Sequence, residues 1–174
     1  MKKPESIKPA KGKLGILLPG MGAVATTFIA GCLMSRKGFG KPIGALSQMG
    51  TIRLGKRTDK KEPLIKDFVS IAGMDDLVFG GWDLFPDNAY EAAKKAGVLK
   101  SEHLSQIEDE MKAIKPMKAV FFPEYVKNLK GENIKTEQNK MELAQKTIED
   151  IQNFKKENGL SRCVAVWCGS TEVH

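Results

Sequence analysis

An α/β fold with a mainly parallel sheet is predicted by two observations. Short apolar runs of strand length alternate with helical periodicities, and the first of these runs leads straight into a glycine-punctuated turn. The chain has 174 residues, 41% hydrophobic and 28% charged, which suits one globular unit with a full core. Part of its net charge of +7 is local, because residues 1–13 hold five lysines against one glutamate. We therefore expect a basic, disordered tail over residues 1–12 and a single domain over residues 13–174.

Leu14 to Leu18 is an apolar run of buried-strand length, and Gly20-Met21-Gly22-Ala23-Val24-Ala25 follows at once in the spacing GxGxxA. Gly20 permits a tight turn, the absent side chain at Gly22 lets a pyrophosphate approach the backbone, and small Ala25 lets the next helix sit close to the strand. The helix N-terminus would offer free N–H groups to the phosphates. The acidic residue usual about 20 residues further on is missing, since Ser35 to Lys41 contains no Asp or Glu.

Two other objects could be written in the same letters. Leu14 to Met34 has no charged side chain and, at about 1.5 Å per residue, would reach across a bilayer core of about 30 Å. Ile29-Ala30-Gly31-Cys32 could also end a lipoprotein export signal. Pro19 and the glycines weaken a spanning helix, and Cys32-Leu-Met-Ser reads as the end of an amphipathic helix rather than a polar tether.

The later elements follow in order. Between Gly38 and Ile71 lies a less regular insertion. Asp76 to Phe79 reads as a short strand ending at a Gly80-Gly81 turn. Asp87 can cap a helix with a small face of Ala89, Ala92, Ala93 and Ala96, closed by Gly97. Ser101 opens another, with Leu104, Ile107 and Met111 at helical spacing. Ala119 to Phe122 reads as a strand ending at Pro123, and a long helix from about Thr136 to Glu157 would carry Ala144, Ile148, Ile151 and Phe154 on one face. Asn158-Gly159 closes it, and Cys163 to Trp167 reads as a buried parallel strand.

Cys32, Cys163 and Cys168 form an odd count without CxxC or a neighbouring His pair, which argues against a disulfide framework and a zinc site and points to a reduced cytoplasm. His103 and His174 stand far apart and receive no catalytic assignment. Arg53, Lys56, Arg57, Lys60 and Lys61 form a second basic concentration, which reads as a solvated loop surface or as a contact for phosphates, nucleic acid or an acidic partner.

This chain order places Gly20 to Val24, Gly80 to Asp83, Ala119 to Phe122 and Trp167 to Thr171 at the carboxyl ends of strands, where open α/β sheets bind ligands. Asp83 is thereby a candidate for the missing acid, able to accept both hydroxyls of an adenosine ribose; the other reading is that it caps the next turn. Trp82 and Trp167 are expected beside the crevice.

At this point the chain resembles the myo-inositol-1-phosphate (inositol-3-phosphate) synthase family. Gly44-Ala-Leu-Ser-Gln-Met-Gly-Thr-Ile-Arg-Leu-Gly55 is similar to its GSLTQASTxxLG segment, and Asp76-Leu-Val-Phe-Gly-Gly-Trp-Asp83 to its DxVFGGWD signature. Tyr90-Glu-Ala, Ala96-Gly-Val-Leu99, Pro116-Met-Lys and Pro123-Glu-Tyr follow in the family's order, and Val166-Trp-Cys-Gly-Ser-Thr-Glu172 is similar to VLWTANTER. The glycine loop departs from the eukaryotic GxGGNNG, Ala119 stands for a family serine, and Cys168-Gly169-Ser170 stands where many members have Thr-Ala-Asn. The pattern is that of a divergent bacterial branch.

The resemblance implies a Rossmann-like NAD-binding domain of a cytoplasmic isomerase. That enzyme turns glucose 6-phosphate into a myo-inositol phosphate by transient oxidation, enolisation, aldol closure and reduction, feeding inositol and phospholipid synthesis. It further implies that Gly20, Met21, Gly22, Ala23 and Val24 cradle the phosphates of NAD and that Asp83 takes the adenosine ribose. Ala119 and Val120 would lie beside the adenine, and Gly169, Ser170 and Thr171 against the nicotinamide half. The family's catalytic lysines and tetramer-forming domain lie beyond the position matched by His174, so the expectation is an incomplete, amino-terminal cofactor portion with no catalytic residue of its own, drawn from a homotetrameric enzyme. Membrane or nucleic-acid binding is not implied.

Overall fold

The computed structural model describes residues 11–126 and 128–169, so the expected tail falls, but for Lys11 and Gly12, outside the described residues. Its centre is a four-stranded sheet of β1 (Leu14–Pro19), β2 (Leu77–Asp83), β3 (Met117–Lys118) and β4 (Arg162–Ala165), standing side by side in the order β3-β2-β1-β4. Every pairing is parallel, with Leu14 opposite both Leu77 and Arg162. The chain runs outward from β1 to β3 on one side and returns to place β4 on the other, so the strand order reverses at β1.

Parallel strands covered on both faces need apolar side chains on both faces, and β1 supplies them by alternation. Ile16 and Leu18 point into a layer built from α1 (Ala23–Arg36), α4 (Ala89–Ala96), α5 (Ser101–Ser105) and α6 (Glu108–Ala113), where they meet Ile29, Leu104, Ile107 and Met111. Leu17 points the other way, into a smaller cluster with Trp82, Ala119 and, from α7 (Lys140–Glu157), Ile151 and Phe154. Burying one such side chain is worth about 1.5–3 kcal/mol, so the helices are held chiefly by this sandwiching.

The glycines of β1 and β2 set how close α7 can come. A Cβ built on Gly80 would lie 2.6 Å from the Phe154 ring, and one on Gly15 would lie 2.6 Å from Leu160 and 3.1 Å from Phe154. Gly80-Gly81 is therefore not the expected turn. β2 runs through both glycines to Asp83, because their missing side chains admit an aromatic ring on one face and Leu18 at close range on the other.

Other boundaries also move. Asn88, not Asp87, caps α4, accepting from the Glu91 N–H, while Asp87 pairs with Lys95. Gly97 closes that helix in the left-handed conformation, φ +66°, as its position implies. α7 begins at Lys140 because the Asn139 side chain accepts from the Glu142 N–H. Its inner stripe is Leu143, Thr147, Ile151 and Phe154, whereas Ala144 and Ile148 are exposed. β3 ends at Lys118, and only an isolated bridge from Ala119 to Ile134 continues it. β4 is parallel as expected but is an edge strand: Val164 is exposed, and beyond it Trp167 is 78% exposed.

Residues 38–72 form an excursion with α2 (Leu46–Met49), α3 (Ile65–Phe68) and one antiparallel bridge, Thr51 to Leu64. No residue in it is buried, and the basic cluster from Arg53 to Lys61 sits on it. Arg36 fastens its return to the body, donating to the carbonyls of Met74 and Leu77 while its guanidinium lies 5.3 Å from the centre of the Phe79 ring.

Candidate functional site

The carboxyl ends of β1, β2 and β3 open on one side of the sheet, and the chain after each one turns back there. Gly20 follows β1 with φ +86°, a conformation that favours glycine, and donates its N–H to the Trp82 carbonyl at 2.8 Å. A Cβ on it would lie 2.6 Å from the Gly169 Cα, so the loop after β1 and the segment after β4 touch backbone to backbone. The Cys168 N–H donates to the Pro19 carbonyl at 2.9 Å, which fixes that contact.

Gly22 is the N-cap residue of α1 and meets nothing within 4 Å at its Cβ position. Among the described residues no side chain caps the helix, and its first turn holds no acidic residue. Among the described residues, none accepts from the N–H groups of Gly22, Ala23, Val24 or Ala25. Ala23 and Val24 are exposed there, Val24 by 68%, while Met21 and Ala25 are buried beneath the loop. Free donors, the positive end of a helix dipole and open space over a glycine are together suited to receiving an anion.

Asp83 closes β2 beside these donors. Its Oδ2 accepts the Met21 N–H at 2.5 Å and its Oδ1 accepts the Phe85 N–H at 3.0 Å. The carboxylate therefore does cap the next turn and also ties down the glycine loop. Each oxygen keeps lone-pair capacity for a further donor, so a ribose diol can still be received.

Ala119 and Val120 lie one strand further out, after β3. Ala119 is buried and its backbone is engaged on both sides, its N–H with the Asn133 carbonyl and its carbonyl with the Lys135 N–H, so only Val120, 41% exposed, presents a side chain outward. The geometry thus joins Gly20, Met21, Gly22, Asp83 and Gly169 tightly, with Ala119 and Val120 alongside. Ser170 and Thr171 lie outside the described residues. Trp82 does not face the crevice: its indole N–H donates to Asp150 Oδ2 on α7 at 2.7 Å.

Two groups that the sequence did not single out brace this end of the sheet. Asn133 donates from Nδ2 to the carbonyls of Asp83 and Met117, at 2.9 and 3.2 Å. Lys135, only 8% exposed at its side chain, pairs with Asp150 at 2.6 Å on the oxygen that the Trp82 indole also uses. Their partners are remote in sequence, so no local pattern marks them.

The lipoprotein and membrane readings find no support. Ile29, Ala30 and Cys32 are buried within α1, where burial pushes the Cys32 thiol up and Arg36 draws it partly back. Among the described residues, no helix is long and apolar enough to cross a membrane.

Comparison with known proteins gives one consistent result. Residues 14–174 match the model of an NAD-binding domain described as myo-inositol-1-phosphate synthase. The chain is 48% identical over 171 residues to inositol-3-phosphate synthase 1 of Bacteroides thetaiotaomicron, an alignment covering 98% of this chain and 39% of that protein. It is 28% identical to the inositol-3-phosphate synthase of Saccharomyces cerevisiae, over 99% of this chain and 36% of the relative. The crystal structure of the Caenorhabditis elegans inositol-3-phosphate synthase superposes with a TM-score of 0.81 at 26% identity, over 94% of this chain and 35% of that one. The chain thus spans little more than a third of the length of the relatives it matches.

Proposed function

Because the chain belongs to the myo-inositol-1-phosphate synthase family, we propose that its glycine loop and Asp83 hold NAD for the conversion of glucose 6-phosphate to a myo-inositol phosphate. The observation that supports this reading best is the end of β1, where the N–H groups at the head of α1 find no acceptor among the described residues and none of these comes within 4 Å of the Gly22 Cβ position. The cofactor's contribution when bound is reversible hydride storage, so that the sugar is oxidised transiently and reduced again after ring closure.

The chain's own residues bind and orient. Gly22, Ala23 and Val24 offer backbone donors to the pyrophosphate, with Gly20 shaping the turn and Met21 anchoring it from below. Asp83 accepts from the adenosine ribose while holding the loop. Val120 packs against the adenine beside Ala119, and Gly169, with Ser170 and Thr171 after it, borders the nicotinamide half. None of these residues is assigned as acid or base for the enolisation. Glucose 6-phosphate, a homotetrameric assembly and a cytoplasmic setting belong to the same reading, supported by the relatives' being inositol-3-phosphate synthases.

Titration calorimetry of NAD into the chain tests the assignment. Saturable binding is expected, weakened about tenfold or more by Asp83→Ala, which removes a charged acceptor worth about 1.5–3 kcal/mol. Gly22→Val should weaken it as much while leaving the fold intact, because its Cβ meets no atom of the described residues within 4 Å. A folded chain without saturable binding, or one indifferent to both substitutions, would overturn the proposal.

A further inference from the structure

The structure assigns Asn133 as a positioning residue for the adenosine end of the site, the group that holds the carboxyl ends of β2 and β3 in register. The inference rests on the cofactor reading above for its functional meaning, and on geometry alone for the positioning itself.

β2 and β3 are paired over only two positions, Trp82 with Met117 and Asp83 with Lys118. So short a ladder does little to fix where Asp83 and Ala119 stand relative to each other. Beyond it, the backbone and side chain of Asn133 take over. Its Nδ2 donates to the Asp83 and Met117 carbonyls, its N–H donates to the Leu84 carbonyl at 2.9 Å, and its own carbonyl accepts the Ala119 N–H at 2.9 Å. Both neighbours of Nδ2 are carbonyl oxygens, which only the NH₂ end of the amide can satisfy. One residue therefore touches the strand end that carries the carboxylate and the strand end that carries Ala119 and Val120.

The loop bearing Asn133 is itself pressed against β2's exit. A Cβ on Gly131 would lie 2.5 Å from both the carbonyl oxygen and Cβ of Leu84. Two residues after Asn133, Lys135 reaches Asp150 and shares it with Trp82. The segment from Gly131 to Lys135 is thus fastened at both ends, and the Asn133 amide bridges the carbonyls of Asp83 on β2 and Met117 on β3.

Isosteric Asn133→Asp turns the two donated bonds into acceptor facing acceptor, and Asn133→Ala deletes them. Hydrogen exchange of the unliganded chain reads positioning directly, because the Met21 and Phe85 amides report where the Asp83 carboxylate sits. In both variants their protection is expected to fall at least about tenfold while the amides of β1 keep theirs, tenfold being the loss of about one net hydrogen bond. Ile107→Val, a comparable loss of packing in the layer that Met21 and β1 share, should lower the protection of the Met21 and Phe85 amides no more than that of β1. NAD and AMP should then bind about tenfold more weakly to Asn133→Asp, with nicotinamide mononucleotide unaffected.

Unchanged Met21 and Phe85 protection in a folded Asn133 variant would overturn the inference, and so would the same selective loss in Ile107→Val. If the parent chain fails to take up NAD, the cofactor reading fails, and the exchange data still decide the role of Asn133.

Discussion

Alanine at Gly80 and alanine at Gly81 are the same chemical change on opposite faces of one strand, and the structure gives them different costs. At Gly80 the new methyl would stand 2.6, 2.9 and 3.2 Å from three carbons of the Phe154 ring. The ring is a side chain on an outer helix and can retreat by under about 1 Å, so the cost is that of ordinary overpacking, about 1–3 kcal/mol, offset by about 0.4–1 kcal/mol from a stiffer unfolded chain. A net loss of about 1–2 kcal/mol corresponds to a midpoint lowered by about 2–8 °C in a domain of this size. At Gly81 the methyl would stand 2.1 Å from the Leu18 carbonyl oxygen and 2.8 Å from its carbon, both backbone atoms of the neighbouring central strand. Relief there requires β1 and β2 to part at the register pair Leu18 and Gly81, breaking the ladder, at a cost above about 4 kcal/mol. Urea unfolding of both variants, alone and with Phe154→Leu, separates the cases. Phe154→Leu should recover about 1 kcal/mol in the Gly80→Ala background and nothing in Gly81→Ala. Equal costs for the two alanines, or no coupling between Gly80 and Phe154, would refute the claim that these glycines exist for close packing.

Two further outcomes are expected. Asp150→Ala leaves the nearly buried Lys135 ammonium and the Trp82 indole N–H without their shared acceptor and should cost about 3 kcal/mol, the low end for a broken buried pair because Asp150 keeps 22% exposure; a loss below about 1 kcal/mol in chemical denaturation would show the pair to be solvated. The Cys32 thiol is raised by burial, so its contribution to stability is complete below the unfolded thiol value of about 8.5 and is lost as pH rises through the higher folded value. Cys32→Ala should accordingly flatten the alkaline limb of stability against pH, and an unchanged limb would show that the thiol does not titrate between the two states.

The parts of the fold legible in the sequence were those with local causes. Leu14 to Leu18 followed by Gly20 and Gly22 could be read because strand, turn and helix start are written consecutively, and Gly97 and Gly159 could be read because a left-handed residue after a helix favours glycine. The misread parts depend on contacts remote in sequence. Gly80-Gly81 carries the signal of a turn, yet serves tertiary packing with Phe154 and Leu18. On α7 the expected stripe holds at Ile151 and Phe154, but Leu143 and Thr147 face inward in place of Ala144 and Ile148, because helix rotation is set by where Phe154 meets Gly15 and Gly80. Val164 to Trp167 have the apolar letters of a central strand at the sheet's edge, and composition alone does not distinguish the two positions. At the candidate site, Asp83 could be singled out from its place at the end of a strand. Asn133 could not be, since its side-chain partners are 50 and 16 residues away.

The bare head of α1 has a consequence for the lifetime of the protein. A helix with no side-chain cap among the described residues and no acidic first turn gains its cap when an anion arrives, and on the cofactor reading that cap is a small molecule drawn from metabolism. At a hundredfold excess over its dissociation constant, such a ligand adds about 2.7 kcal/mol to the folded state, a large part of the margin that shields a domain from degradation. On that reading the steady-state abundance of the protein would track the supply of the dinucleotide after translation.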